Sequence, residues 1–142
     1  MTAPHLDEAK LMDKNIYREQ IIDLYERPLN YGTLDPADFS HEEDNPLCGD
    51  VIRIDVCLDG ENRVTAVAWS GNGCAISQAS ASLLTEAIKD MPLDELKTFP
   101  KERLLDLIGV PLSMARLKCA LLSLKVLHTG ANSIPDTHER NA

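Results

Sequence analysis

Apolar residues recur at helical spacing over Asn15 to Glu26, where Tyr17, Ile21, Leu24 and Tyr25 share one face ahead of Pro28. The pattern predicts an amphipathic helix. From Pro28 to Pro46, Asn, Gly, Asp and Pro recur, with Asp38, Glu42, Glu43 and Asp44 clustered around His41, so this stretch is expected to be loop with a short strand near Asn30 to Leu34. Val51 to Leu58 then alternates, with Ile52, Ile54, Val56 and Leu58 on one side and Arg53, Asp55 and Cys57 on the other, as a half-buried strand does. Asp59 to Asn62 reads as a turn, and Arg63 to Trp69 as the second strand of an antiparallel hairpin. Cys74 to Ile88 is expected to be a helix whose small first half packs closely on the sheet. Pro92 ends it, Leu93 to Phe99 makes a turn or two, and Pro100 to Ile108 is a short helix closed by Gly109 and Pro111. Ser113 to Thr129 forms a last helix, with Met114, Leu117, Leu121, Leu124 and His128 on its core-facing stripe and Ala120 and Leu127 beside it. Polar tails are expected at about 1–13 and 130–142, around one domain of α+β class.

Composition narrows what such a fold does. The chain has 142 residues, 44% hydrophobic and 26% charged, which is ordinary for a globular domain able to bury a core without disulfides. Its net charge of −9 disfavours nucleic acid, whose phosphates need Lys and Arg, and suits cations and basic protein partners. The N-terminus lacks a basic and apolar leader, and no run approaches the roughly 20 apolar residues of a membrane span, so a cytoplasmic location is expected, with no membrane partner.

Chemistry concentrates at the cysteines, which in a reducing compartment bind metal, react or pack in the core more often than they pair. Cys48 and Cys74 each sit on a glycine turn, in Asn45-Pro46-Leu47-Cys48-Gly49-Asp50 and Ser70-Gly71-Asn72-Gly73-Cys74. They lie just before and just after the predicted hairpin, whose two ends meet in space. Cys74 would also stand at a helix N-terminus, where unpaired N–H groups and the dipole favour a thiolate. Cys119 lies in the second turn of the last helix beside Lys118, a cation expected to lower that thiol's pKa and to attract an anionic sulfur species. Three thiolates and the Asp50 carboxylate would satisfy a tetrahedral Zn²⁺, or a [2Fe–2S] cluster with one oxygen ligand. The absence of a CxxC pair excludes a zinc finger or ribbon. Cys57, on the strand, is expected only to pack, and His5, His41, His128 and His138 lack metal-ligand spacing to the cysteines.

The Asn45–Asp50 segment ahead of a hairpin, Gly73-Cys74-Ala75-Ile76-Ser77-Gln78-Ala79-Ser80-Ala81-Ser82 and Lys118-Cys119 resemble the U-type iron–sulfur cluster scaffolds, the family of IscU, SufU and the N-terminal domain of NifU. The resemblance runs from about Tyr17 to His128. It implies a three-stranded antiparallel sheet with helices packed on one side. It further implies a protein that takes sulfur from a cysteine desulfurase of the SufS, IscS or NifS type and assembles a labile [2Fe–2S] cluster for recipient apoproteins. The implied ligands of cluster or Zn²⁺ are Cys48, Asp50, Cys74 and Cys119, with Cys119 the favoured persulfide acceptor. Where IscU has a histidine before the third cysteine, this chain has Lys118, which leaves Asp50 as the non-sulfur ligand. Where IscU recruits a chaperone through LPPVK, it has Leu112-Ser113-Met114-Ala115-Arg116, so chaperone-driven release is not expected. Lys118 and the Gly73–Ser77 run are SufU-like, yet the extra segment usual in SufU between the second and third cysteines is missing. Two readings stand: a cluster scaffold, and a zinc-dependent sulfurtransferase-like acceptor that activates a desulfurase. A purely structural zinc domain is a third.

Overall fold

The computed structural model describes residues 16–135; the tail expected at 1–13, His5 and His138 lie outside them. Strands β1 (Phe39–Asn45), β2 (Asp50–Leu58) and β3 (Val64–Asn72) form one antiparallel sheet in the order β1-β2-β3. Ile52, Ile54 and Val56 on the central strand are fully buried, as their period-two spacing predicts. Position 50 has the same parity, so Asp50 turns under the helices with them and is only 2% exposed.

The first strand departs from expectation. The chain forms no strand near Asn30 to Leu34; there Tyr31 makes an isolated bridge to Trp69, and the Gly32 N–H donates to the Trp69 carbonyl at 2.8 Å. The strand comes later, where Phe39 is the sole apolar residue among the inward positions Phe39, His41, Glu43 and Asn45. An edge strand held by its ladder to β2 and one buried aromatic ring shows no hydrophobic alternation in its sequence. Because Asn45 pairs with Asp50, Pro46 to Gly49 becomes the loop of a β1–β2 hairpin. At the other edge of β2, Val51 pairs with Asn72, which carries the start of β2 to Gly73.

A helix over residues 16–26 (α1) precedes the sheet, and α2 (Ala75–Ala87), α3 (Leu93–Lys97), α4 (Lys101–Ile108) and α5 (Met114–Asn132) follow it. Ile21 and Leu24 of α1 are buried as predicted, whereas Tyr25 is exposed. Helix α5 packs against α2, β1 and β2. Its buried face matches the predicted one in part: Leu124, Ala120 and Leu127 are buried as expected, but Cys119, Ser123 and Gly130 also turn inward, while Met114 is 80% exposed. The small residues of α2 explain the rotation, since Ser77 and Ser80 let the helices approach until the Ser80 hydroxyl reaches the Ala120 carbonyl at 2.5 Å. Helix α5 also continues to Asn132, beyond the expected tail start, with Gly130 against Phe39 where a Cβ would come within 2.7 Å of the ring. Among the described residues no helix is long and apolar enough to cross a membrane.

Candidate metal and sulfur site

Cys48 is carried by the β1–β2 loop, whose shape is set by Asn45. The Asn45 side-chain carbonyl accepts the Leu47 N–H at 3.1 Å, and its main-chain carbonyl accepts those of Cys48 at 3.1 Å and Gly49 at 2.8 Å. Gly49 supplies the left-handed turn, with φ of 73°. The Cys48 thiol is exposed, and Asn45 Nδ2 donates to its sulfur at 3.4 Å.

Asp50 opens β2 beneath the N-terminus of α2. Its Oδ1 accepts the Cys74 N–H at 3.0 Å; its Oδ2 accepts the Ser77 hydroxyl at 2.5 Å and lies 3.7 Å from Cys74 Sγ. The Cys74 side chain makes no capping bond of its own, so a carboxylate from the sheet performs that task at the positive end of the helix. Gly73 allows this approach, because a Cβ there would stand 2.8 Å from Oδ1. Cys119 completes the group from α5, with its sulfur 3.1 Å from Cys48 Sγ.

The ligand atoms of Cys48, Asp50 and Cys119 all lie within 4.8 Å of one another, and Cys74 joins them through Asp50. All four predicted residues are therefore gathered in one place. Tetrahedral Zn²⁺ with Zn–S near 2.3 Å separates its sulfur ligands by about 3.8 Å. The Cys48 and Cys119 sulfurs, 3.1 Å apart, would have to part by about 0.7 Å to reach that spacing, while Asp50 Oδ2 stands 3.7 Å from the Cys74 sulfur, and three thiols with one carboxylate suit a soft ion.

One expectation is corrected. Cys119 is 2% exposed, and burial pushes its thiol well above the usual range, with Cys48, Cys74 and Asp50 acting in the same direction. Lys118 is exposed on the outer side of the helix, where water screens its charge, so it does not bring the lowering expected from its place in the sequence. Away from the group, Cys57 is half-exposed rather than packed in the core, its Sγ donating to the Pro36 carbonyl at 3.4 Å, while His41 pairs with Glu43 and His128 Nε2 lies 2.9 Å from the Phe99 carbonyl oxygen. Asn45 and Ser77 were not singled out from sequence. Asn one residue before Pro is a turn signal that could have found the first; nothing local marks the second.

Beside Cys48 an apolar groove of about 470 Å³ runs along α5. Leu47, Met114, Leu117 and Leu121 line it, and Lys118 and Lys125 are on its walls. Leu47 and Met114 are 79% and 80% exposed. Lys125 is 3.5 Å from Glu43, while Lys118 makes no ion pair among the described residues.

Known proteins resemble this chain in sequence and in fold. The zinc-dependent sulfurtransferase SufU of Bacillus subtilis is 36% identical over 132 residues, covering 81% of this chain and 88% of SufU. The iron–sulfur cluster assembly scaffold protein IscU of Escherichia coli K12 is 30% identical over 110 residues, covering 75% of this chain and 84% of IscU. The crystal structure of FiSufU from Fervidobacterium islandicum superposes with a TM-score of 0.66 at 25% identity, over 80% of this chain and 94% of FiSufU. The family profile described as "NifU-like N terminal domain" matches residues 16–140. With the sheet, the helices and the Cys48–Asp50–Cys74–Cys119 group in place, the chain belongs to the NifU-like N-terminal domain family, the U-type branch of iron–sulfur cluster assembly proteins.

Proposed function

We propose that this protein is an iron–sulfur cluster assembly scaffold that accepts persulfide sulfur from a cysteine desulfurase, assembles a labile [2Fe–2S] cluster and passes it to apoproteins in the cytoplasm. The observation that carries this reading is the convergence of three thiols and one buried carboxylate at a surface opening. In the sulfur step a thiolate attacks the outer sulfur of the partner's persulfide; a new S–S bond forms and the partner's cysteine leaves as thiolate, with no net oxidation. Cys48 is the exposed thiol, so sulfur arriving from outside meets it first. Cys119, the acceptor that the resemblance implies, lies 3.1 Å behind it. Iron and sulfur are cargo here, each persulfide sulfur taking two electrons from an external thiol or ferredoxin-type reductant to become bridging sulfide, and an oxygen ligand among thiolates is the one most readily exchanged on transfer. The apolar groove at Cys48 offers a face for the desulfurase, with Lys118 placed to meet a carboxylate of that partner.

A second reading is supported by the SufU relative and by a donor set that suits tetrahedral zinc: a zinc-dependent sulfur acceptor that activates a desulfurase without building a cluster. Zinc held by Cys48, Asp50, Cys74 and Cys119 would keep the thiols deprotonated and unoxidised until the partner frees one.

Anaerobic reconstitution with iron, cysteine and a desulfurase separates the two. Scaffolding predicts a visible-absorbing [2Fe–2S] species, longer-lived when Asp50 is replaced by Ala. Protein that keeps its zinc, yields no cluster and still accelerates the desulfurase would establish the second reading instead.

A further inference from the structure

Ser77 occupies the third helical position of α2, from which a Glu or Gln can reach back to the N-cap N–H but a serine is too short to do so. Here Asp50 takes that N–H, and Ser77 donates to Asp50 instead. The Ser77 oxygen is also 3.2 Å from the Cys119 carbonyl oxygen and 3.6 Å from Cys74 Sγ, and the residue is 1% exposed. A hydroxyl has one proton to give. The carboxylate is the nearer acceptor and the stronger, being charged.

We propose that Ser77 is the positioning residue of the metal site, its hydroxyl seated between Asp50 and the Cys119 main chain so that the Asp50 carboxylate is aimed at the thiols. This rests on the reading of Cys48, Asp50, Cys74 and Cys119 as the ligand set. Asp50 has one oxygen pinned by the Cys74 N–H; with that contact alone the carboxylate can still turn about its last bond. The Ser77 bond pins the second oxygen and fixes the plane of the carboxylate. Among the four ligands the carboxylate binds a soft ion least strongly, so its orientation governs how firmly the site closes. Partners one step behind a ligand commonly contribute about 10–100-fold in metal affinity through such orientation.

The test is the zinc affinity of the full chain by chelator competition, together with the visible spectrum of the Co²⁺-substituted protein. Ser77→Ala should bind zinc about 10–100-fold more weakly, and its Co²⁺ spectrum should move toward that of Asp50→Ala. Alanine favours the helix and the loss is one hydroxyl, so the variant should fold. Ser77→Thr, which keeps the hydroxyl, should recover most of the affinity. In an Asp50→Ala background the Ser77→Ala change should add nothing beyond about twofold, the scatter of independent sites. Ser80→Ala is the control for helix packing, since Ser80 bonds the Ala120 carbonyl without touching Asp50. It should lower Tm and leave zinc affinity within about twofold. Ser77→Ala with native affinity and spectrum, or a loss that persists in the absence of Asp50 or is matched by Ser80→Ala, would overturn the positioning role alone. Wild-type protein that binds neither ion through these four residues would overturn the ligand set as well.

Discussion

Two glycines near the thiols do different work, and substitution separates them. At Gly49 an added Cβ meets nothing within 4 Å, but φ is 73°, so Gly49→Ala should cost about 1–2 kcal/mol of stability by backbone strain, without displacing a neighbour. At Gly73 the Cβ would meet Asp50 Oδ1 at 2.8 Å and its carboxyl carbon at 2.9 Å. The carboxylate is held on both oxygens and cannot swing clear, so Gly73→Ala should cost zinc affinity about tenfold or more. Thermal unfolding and chelator competition on both variants give the contrast: stability falls in each, affinity chiefly at Gly73. This is also where the sequence is most legible. Cysteines on glycine turns, and a carboxylate two residues from one of them, point to side chains that the fold then gathers. Ser77 is not legible in that way, because its role depends on which groups another strand and helix bring near, whereas Asn45 shapes its own turn and is marked by its place before Pro46.

Hairpins and helices bring those residues together, and the way they pack explains which expectations failed. Period-two alternation makes β2 plain, and it also settles that Asp50 faces the helices, since residue 50 has the parity of Ile52, Ile54 and Val56. Edge strand β1 has no such pattern, and its place follows from pairing with β2. In α5 the apolar residues are spread around the helix, so periodicity alone could not choose the inward face; the small surface of α2 chose it. Met114, freed from core duty by that rotation, lines the groove beside Cys48 together with Leu47 from the β1–β2 loop. Replacing either by Asp should leave Tm unchanged, because little of each is buried, yet weaken desulfurase binding at least about tenfold if this face is the dock, as central apolar anchors of an interface do. Titration of each variant against the desulfurase by calorimetry checks both halves, and native affinity in both would move the dock elsewhere.

At the scale of the whole molecule, the core and the metal group are separable. Trp69, Ile52, Ile54, Leu84, Leu104 and Leu127 are buried among the sheet and helices, so the hydrophobic driving force does not wait for an ion. A structural zinc domain depends on its metal to fold; this chain has the size and the apolar core to fold without it. Truncating the core should therefore be far more damaging than emptying the site: Leu84→Ala, at a fully buried position of α2, is expected to cost about 2–5 kcal/mol. Zinc removal acts differently, because a ligand that binds only the folded chain raises stability by mass action and its loss returns the protein to its intrinsic value. Chelation should lower Tm while the helical far-UV signal at room temperature persists, and added zinc should restore the original Tm. Loss of that signal on chelation would mean that the β1–β2 loop and the start of α2 need the ion to form, and the structural-zinc reading would then displace both proposed functions.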